Sequence, residues 1–203
     1  MRVKTDERRK AILDAAAELF RDLGYQRASM AAISAKVGGS KGTLYSYFKS
    51  KEELFAAVMV DAMEERGLQT VDILDPLDDD LRGVLNRFGE QYLSLLLAPE
   101  NVANTRTVIA EAGTSRLGAT LYEMAPLRFW GMVTEYMAQL MERGVIAAKS
   151  AELAAVHLQG LLEAGMVEPS LFDAPPRFDR STAVKEAVDM FLRGYALGSK
   201  ATQ

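Results

Sequence analysis

An all-α fold is predicted by three observations. Apolar residues recur at helical spacing almost throughout the 203-residue chain, and no segment sustains strand-type alternation between hairpin turns. Ser, Asp, Gly and Pro stand where helices would start and stop. The expected architecture is about nine helices: a small head of three helices followed by a longer helical domain.

The first helix, about Asp6 to Leu23, carries Ile12, Ala15, Ala16, Leu19, Phe20 and Leu23 as one apolar stripe and ends at Gly24. Ser29 caps a short helix from Met30 to Val37. Gly38 and Gly39 then permit a tight turn, and Ser40 caps a third helix ending near Phe48. Ser50-Lys51-Glu52-Glu53 is a capping box opening a fourth helix to about Gly67, with Leu54, Phe55, Val58, Ala62 and Met63 inward. After the acidic linker Asp72 to Asp80, Leu81, Leu85, Phe88, Tyr92 and Leu96 mark a fifth helix that stops at Pro99. Helix six is expected from Glu100 to Ala112, helix seven from Ser115 to Arg143 with a kink at Pro126, and helix eight from Ser150 to about Gly165. Glu168 to Arg177, rich in Pro, reads as a connecting loop before a last helix from Asp179 to Leu197.

Composition narrows the function. With 49% hydrophobic and 26% charged residues the chain is globular in type, which excludes disordered and low-complexity classes. There is no Cys, and His157 is the only His, so thiolate and zinc-type metal sites are not expected, nor is a cofactor. The charged N-terminus lacks the apolar core of a signal peptide, and no stretch offers ~18 consecutive apolar residues, so a soluble cytoplasmic protein without membrane partners is expected.

Charge is divided unevenly. Residues 1–51 hold eleven Lys and Arg against five Asp and Glu, an excess of six positive charges, whereas the rest holds 13 against 23. Such asymmetry points to a polyanion at one end. A short helix presented after a tight turn has the shape that enters a DNA major groove about 12 Å wide. Ser29 at a helix start can bond a phosphate as well as cap, Thr43 offers a hydroxyl and a methyl to a base edge, and Lys41 can reach a guanine or a phosphate. Tyr45, Tyr47 and Lys51 suit phosphate clamping. Leu44 and Phe48, with Ile33 and Val37, are assigned to the core that joins the two short helices.

The run from Ala28 to Leu54, through Gly38-Gly39-Ser40-Lys41-Gly42-Thr43-Leu44-Tyr45-Ser46-Tyr47-Phe48 and Ser50-Lys51-Glu52-Glu53, resembles the helix-turn-helix signature of the TetR-type transcriptional regulators along its whole length. Gly24-Tyr25 stands where that family has Gly followed by an aromatic. Two positions depart: Gly39 stands where a Val packs in the turn, which should loosen it, and Tyr47 stands where His is common, which should alter one phosphate contact. The resemblance implies a DNA-binding head over 1–51 and an effector-binding and dimerisation domain over 52–203. It places Lys41, Gly42 and Thr43 near bases, with Ser29, Tyr45, Tyr47 and Lys51 on the backbone. Thr105 to Ala164 is similar to the C-terminal domain of the AefR-like branch, which implies a helical pocket and a dimer face on the final two helices.

Phe88, Tyr92, Tyr122, Phe129, Trp130, Val133 and Met137 fall on inward stripes and would line either a pocket or plain core. Arg106 and Glu111 are available to orient a polar ligand, or are solvated charges. Leu158, Leu161, Leu162, Val188, Phe191, Leu192 and Tyr195 suit a four-helix dimer interface, or burial within one protomer. His157 reads as an interface or hydrogen-bonded histidine. Hydrolase, Walker and dinucleotide motifs are absent, and Gly38-Gly39-Ser40-Lys41-Gly42 has the wrong order for a phosphate loop, so no catalytic residue is expected.

The expected function is a ligand-responsive homodimeric repressor, released from a two-fold symmetric double-stranded DNA operator by an unknown small-molecule effector. An activator or co-ligand-dependent regulator of the same fold, an all-α binding protein or enzyme, and a structural DNA-coating protein are the alternatives.

Overall fold

The computed structural model describes residues 5–197. Helix starts follow the side chains that can accept from free backbone N–H groups: Thr5 Oγ1 takes Arg8 N at 3.3 Å, Asp80 Oδ1 takes Gly83 N at 2.9 Å, Ser150 Oγ takes Leu153 N at 3.0 Å and Asp179 Oδ1 takes Thr182 N at 2.9 Å. Eleven helices result among the described residues: α1 Asp6–Arg27, α2 Met30–Val37, α3 Lys41–Tyr47, α4 Lys51–Val71, α5 Leu81–Leu96, α6 Pro99–Glu111, α7 Leu117–Met124, α8 Pro126–Glu142, α9 Ala151–Glu163, α10 Val167–Leu171 and α11 Arg180–Tyr195. The all-α expectation holds, and the only strand-like pairing described is one bridge between Ile146 and Ala196.

Two prolines raise the number above the expected nine. Pro126 lacks an N–H and pushes Ala125 out of helical geometry (φ −125°, ψ −74°), so the single kinked helix expected from Ser115 to Arg143 is two helices, α7 and α8. Pro169 does the opposite. It sits in the first turn of α10, where its missing N–H has no intrahelical partner to lose, and part of the expected loop is helical. Gly24 (φ 75°, ψ 164°) interrupts α1 where the regular helix was expected to end, but a further turn runs on to Arg27.

The chain divides into two compact units. The first comprises residues up to Glu64 together with Arg106–Pro126, and the second comprises Glu65–Thr105 and Leu127 onward. In the first unit Ile12, Leu13, Ala16 and Phe20 of α1 meet Ile33, Leu44, Phe48, Leu54 and Phe55, with Val108 and Leu117 completing the cluster. Phe55 is its aromatic hinge, edge-on to Phe20 at 4.8 Å and to Tyr25 at 4.9 Å between centroids. In the second unit α11 packs on α9 and α5, and α8 adds Trp130, Val133, Tyr136, Met137 and Leu140 to their common core. No described helix is long and apolar enough to cross a membrane.

Gly89 lets three of these helices approach. A Cβ there would lie 2.8 Å from both Leu162 Cδ2 of α9 and Val184 Cγ1 of α11, side chains that are themselves buried. Gly131 on α8 has nothing within 4 Å. Urea unfolding should therefore separate the two: Gly89→Val is expected to lose about 2–3 kcal/mol by overpacking, and Gly131→Ala to gain up to ~1 kcal/mol from helix propensity.

Candidate nucleic-acid interface and ligand core

The head is assembled from local rules. Ser29 Oγ accepts from Ala32 N at 3.2 Å and starts α2, and Gly38, left-handed at φ 70°, ends it. Gly38 N and Gly39 N return to the carbonyls of Ala35 and Ser34, while the buried Ser34 hydroxyl donates to Gly39 O at 3.0 Å. Ser40 Oγ then accepts from Thr43 N at 3.1 Å and opens α3.

Within α3 the division of labour is clear. Leu44, and Phe48 just after it, are each 3% exposed in the cluster around Ile33, as expected for core residues. Lys41 and Gly42 are exposed, Tyr45 is 48% exposed, and Thr43 is half-buried with its hydroxyl 3.0 Å from Ser40 Oγ. Ser29 is exposed at the start of α2.

The other two expected contacts are engaged inside the head. Lys51 Nζ donates to the carbonyls of Tyr25 at 3.0 Å and Gln26 at 3.3 Å and lies 4.3 Å from the centre of the Tyr25 ring. It caps the turn that follows Gly24. Tyr47 Oη accepts from Thr5 N at 3.0 Å, tying the end of α3 to the start of α1.

Arg8 was not anticipated. A Cβ at residue 39 would lie 2.5 Å from Arg8 Nη2, which donates to Gly38 O at 3.4 Å. The guanidinium thus occupies the space that the absent Val side chain leaves, and the turn is filled rather than loosened. The missing Cβ at Gly39 was the signal; only the fold shows which side chain uses it.

In the second unit Phe88, Tyr92, Phe129 and Trp130 stack and cross with centroids 5.2–6.2 Å apart, and Val133 and Met137 lie in the same core. Arg106 and Tyr122, expected beside them, belong to the first unit, where Tyr122 is exposed. Glu111 pairs there with the Gln26 amide. A separate open hollow of about 580 Å³ is lined by Ile73, Arg82, Asn86, Arg87, Glu90, Gln91, Ser181 and Lys185, none of them expected.

Residues 12–58 match the family of bacterial regulatory proteins called the TetR family, and residues 83–197, more than half of the chain, match the C-terminal domain of AefR-like transcriptional repressors. The chain belongs to the TetR family. Over 58 residues, 29% of this chain and 26% of the other, it is 48% identical to the HTH-type transcriptional activator FasR of Mycolicibacterium smegmatis. Over 111 residues, 51% of this chain and 57% of the other, it is 29% identical to the HTH-type transcriptional regulator UidR of Escherichia coli. The chain therefore spans between 26% and 57% of the length of these two curated relatives. A solved structure from Mesorhizobium loti, assigned to the TetR family, is similar at a TM-score of 0.79 and 25% identity, covering 97% of this chain and 100% of that one.

The residues offered either for a dimer face or for burial within one protomer are found within the protomer. Leu158, Leu162, Val188, Phe191 and Leu192 are buried within the protomer core, and Leu161 and Tyr195 pack partly buried against it. The opposite faces of the same helices are open: Leu153, Val156 and Gly160 on α9, Met190 and Gly194 on α11, and Leu197 beyond it. His157 Nδ1 meets Tyr195 Oη at 2.5 Å across these two helices.

Burial, and then the charges of Glu52 and Glu111, push the Tyr25 phenol up to about 12. The unfolded phenol ionises near 10. Its contribution to stability is present below pH 10 and is lost as pH rises toward about 12. Tyr25→Phe, which lacks this linkage, should gain stability relative to the wild type between pH 9 and 11, measured by urea unfolding; parallel curves would show that Tyr25 ionises normally.

Proposed function

We propose that the chain is a homodimeric, ligand-responsive transcriptional repressor acting in the cytoplasm. Residues 1–51 bind a two-fold symmetric double-stranded DNA operator, and residues 52–203 take a small-molecule effector and the second subunit. The observation that carries this reading is α3, a seven-residue helix pinned by Leu44 and Phe48 that leaves Lys41, Gly42 and Tyr45 outward, with Thr43 half-buried beside them, on the basic part of the chain.

At 1.5 Å per residue α3 is roughly 10 Å long and fits lengthwise in a major groove. Lys41 and Thr43 face base edges, and Gly42, whose Cβ would meet only Ser40 Oγ, at 3.7 Å, lets backbone come close to them. Ser29 and Tyr45 contact phosphates on either side. Tyr47 and Lys51 act through the head, by holding α3 and α4 on α1.

The sign of regulation follows the effector part. FasR, named an activator, matches 29% of the chain. The AefR-like repressor match covers the region that would couple ligand to DNA, and it favours repression. Release requires the effector to bind the DNA-incompetent arrangement more tightly, since equal affinity for both shifts nothing.

Selection of duplexes from a random pool at near-physiological salt tests the reading. The wild type should enrich a two-fold symmetric site. Thr43→Ala should blur one position of it, a loss of about 1–3 kcal/mol in base discrimination, and Lys41→Ala should weaken binding and reduce its salt dependence. Failure to enrich any symmetric site would sink the proposal.

The open apolar stripe across α9 and α11, with Leu153, Val156, Met190 and Leu197, supports the second subunit's docking there. Val156→Glu with Met190→Glu should turn a dimer into a monomer in analytical ultracentrifugation while leaving the helical signal intact. A dimer that survives both charges would place the interface elsewhere.

A further inference from the structure

The turn between α2 and α3 is filled from a distance. Arg8, in the first turn of α1, brings Nη2 to 3.4 Å from Gly38 O and occupies the space that a side chain at residue 39 would take. Gly38 is left-handed, but Gly39 is not among the positive-φ glycines, so its backbone accepts a valine. Two methyl groups there would fill the space with no charge to desolvate. Filling the turn therefore does not require a guanidinium.

Ion pairing does not require it either. Of the five N–H donors on a guanidinium, the one described bond goes to Gly38 O, and no carboxylate among the described residues pairs with Arg8. Its basic neighbours are engaged otherwise. Lys10 pairs with Asp14 at 3.1 Å and Asp61 at 2.9 Å, and Lys36 pairs with Glu18. Arg9 lies over the Phe48 ring, and Lys51 caps the carbonyls of Tyr25 and Gln26.

The place where Arg8 is held gives the remaining donors a use. Gly38, Gly39 and Ser40 beside it are exposed, and Arg8 lines one narrow cleft with Ser40 and Thr43. A major groove about 12 Å wide is walled by phosphates, so a cation at the lip of the turn leading into a groove-filling helix meets one of those walls. A planar fork with free N–H groups matches two phosphate oxygens at once.

We propose that Arg8 is a DNA-backbone contact: the Gly38 carbonyl aims the guanidinium, and its outer N–H groups grip the phosphate beside the base that Thr43 faces. The inference rests on the operator-binding reading of α3 and adds to it a contact from a different helix. That contact carries no base information, so its loss weakens binding to all sequences alike.

The salt dependence of operator binding separates this role from turn filling. The full chain would be compared, on the duplex the wild type enriches, with Arg8→Met and with Arg8→Ala combined with Gly39→Val, in which an apolar side chain fills the turn. Fluorescence anisotropy between about 50 and 200 mM salt should show both variants flattening the slope of log affinity against log salt by about 2 per dimer, at ~0.9 per phosphate. Both should still enrich the wild-type site. A wild-type slope in the turn-filled variant, or an altered base preference at a wild-type slope, would overturn the proposal. Urea unfolding checks that each variant is folded, and Arg8→Met reads the slope by itself if the double variant is not. The underlying reading fails separately. A wild type that enriches no symmetric duplex removes operator binding, whereas an enriched duplex with wild-type slopes in both variants removes only the Arg8 contact.

Discussion

A helix of seven residues has no stability of its own in water, and whatever α3 presents outward depends on the two side chains that pin it. Leu44 and Phe48 supply that hold by entering the cluster of Ile33, Ile12 and Phe55. Their burial fixes the rotation of the helix, and rotation decides that Lys41, Gly42 and Tyr45 are outward. The polar contacts then refine the position. Ser40 sets where the helix begins, Tyr47 ties its end to Thr5, and Arg9 lies 5.6 Å from the centre of the Phe48 ring. Some of the basic side chains of this segment also hold the head together, Arg8 and Lys51 on backbone carbonyls and Arg9 over the Phe48 ring.

The second unit meets a different constraint, since α9 and α11 each carry apolar residues on two faces. One face is committed to α5 and α8, through Leu158, Leu162, Val188 and Phe191. The other is open, and the His157–Tyr195 contact lies along its edge. A helix apolar on two sides is a device for building a core and docking a second surface with one element.

Much of the fold was legible because its boundaries are local. Met30–Val37 is bounded by Ser29 and Gly38, whose roles depend only on neighbouring backbone, and the sequence places both ends correctly. Ser50 caps α4 as expected, but Glu53 returns to Lys49 N at 2.7 Å, one residue earlier than a capping box requires. Pro169 shows the limit of punctuation rules, since proline breaks a helix interior yet suits a first turn. For the site, periodicity identified Leu44 and Phe48 as core and Lys41, Gly42 and Tyr45 as outward. It could not tell that Leu158 and Phe191 face their own protomer, because a stripe states that a side chain is buried but not against what. Lys51 and Arg8 escaped for a related reason. Their partners, Tyr25 and Gly39, are 26 and 31 residues away, and only the fold brings them together.

The bonds from Thr5 to Tyr47 and from Lys51 to Tyr25 and Gln26 join the ends of the helical head across long stretches of chain. Neither α1 nor α3 can fray at those ends without breaking a tie to the other half of the head. Local opening is therefore coupled across the head, and its amides should exchange with solvent as one cooperative block. A surface that opens only as a whole meets its partner with its shape already set, so little ordering entropy is lost on association.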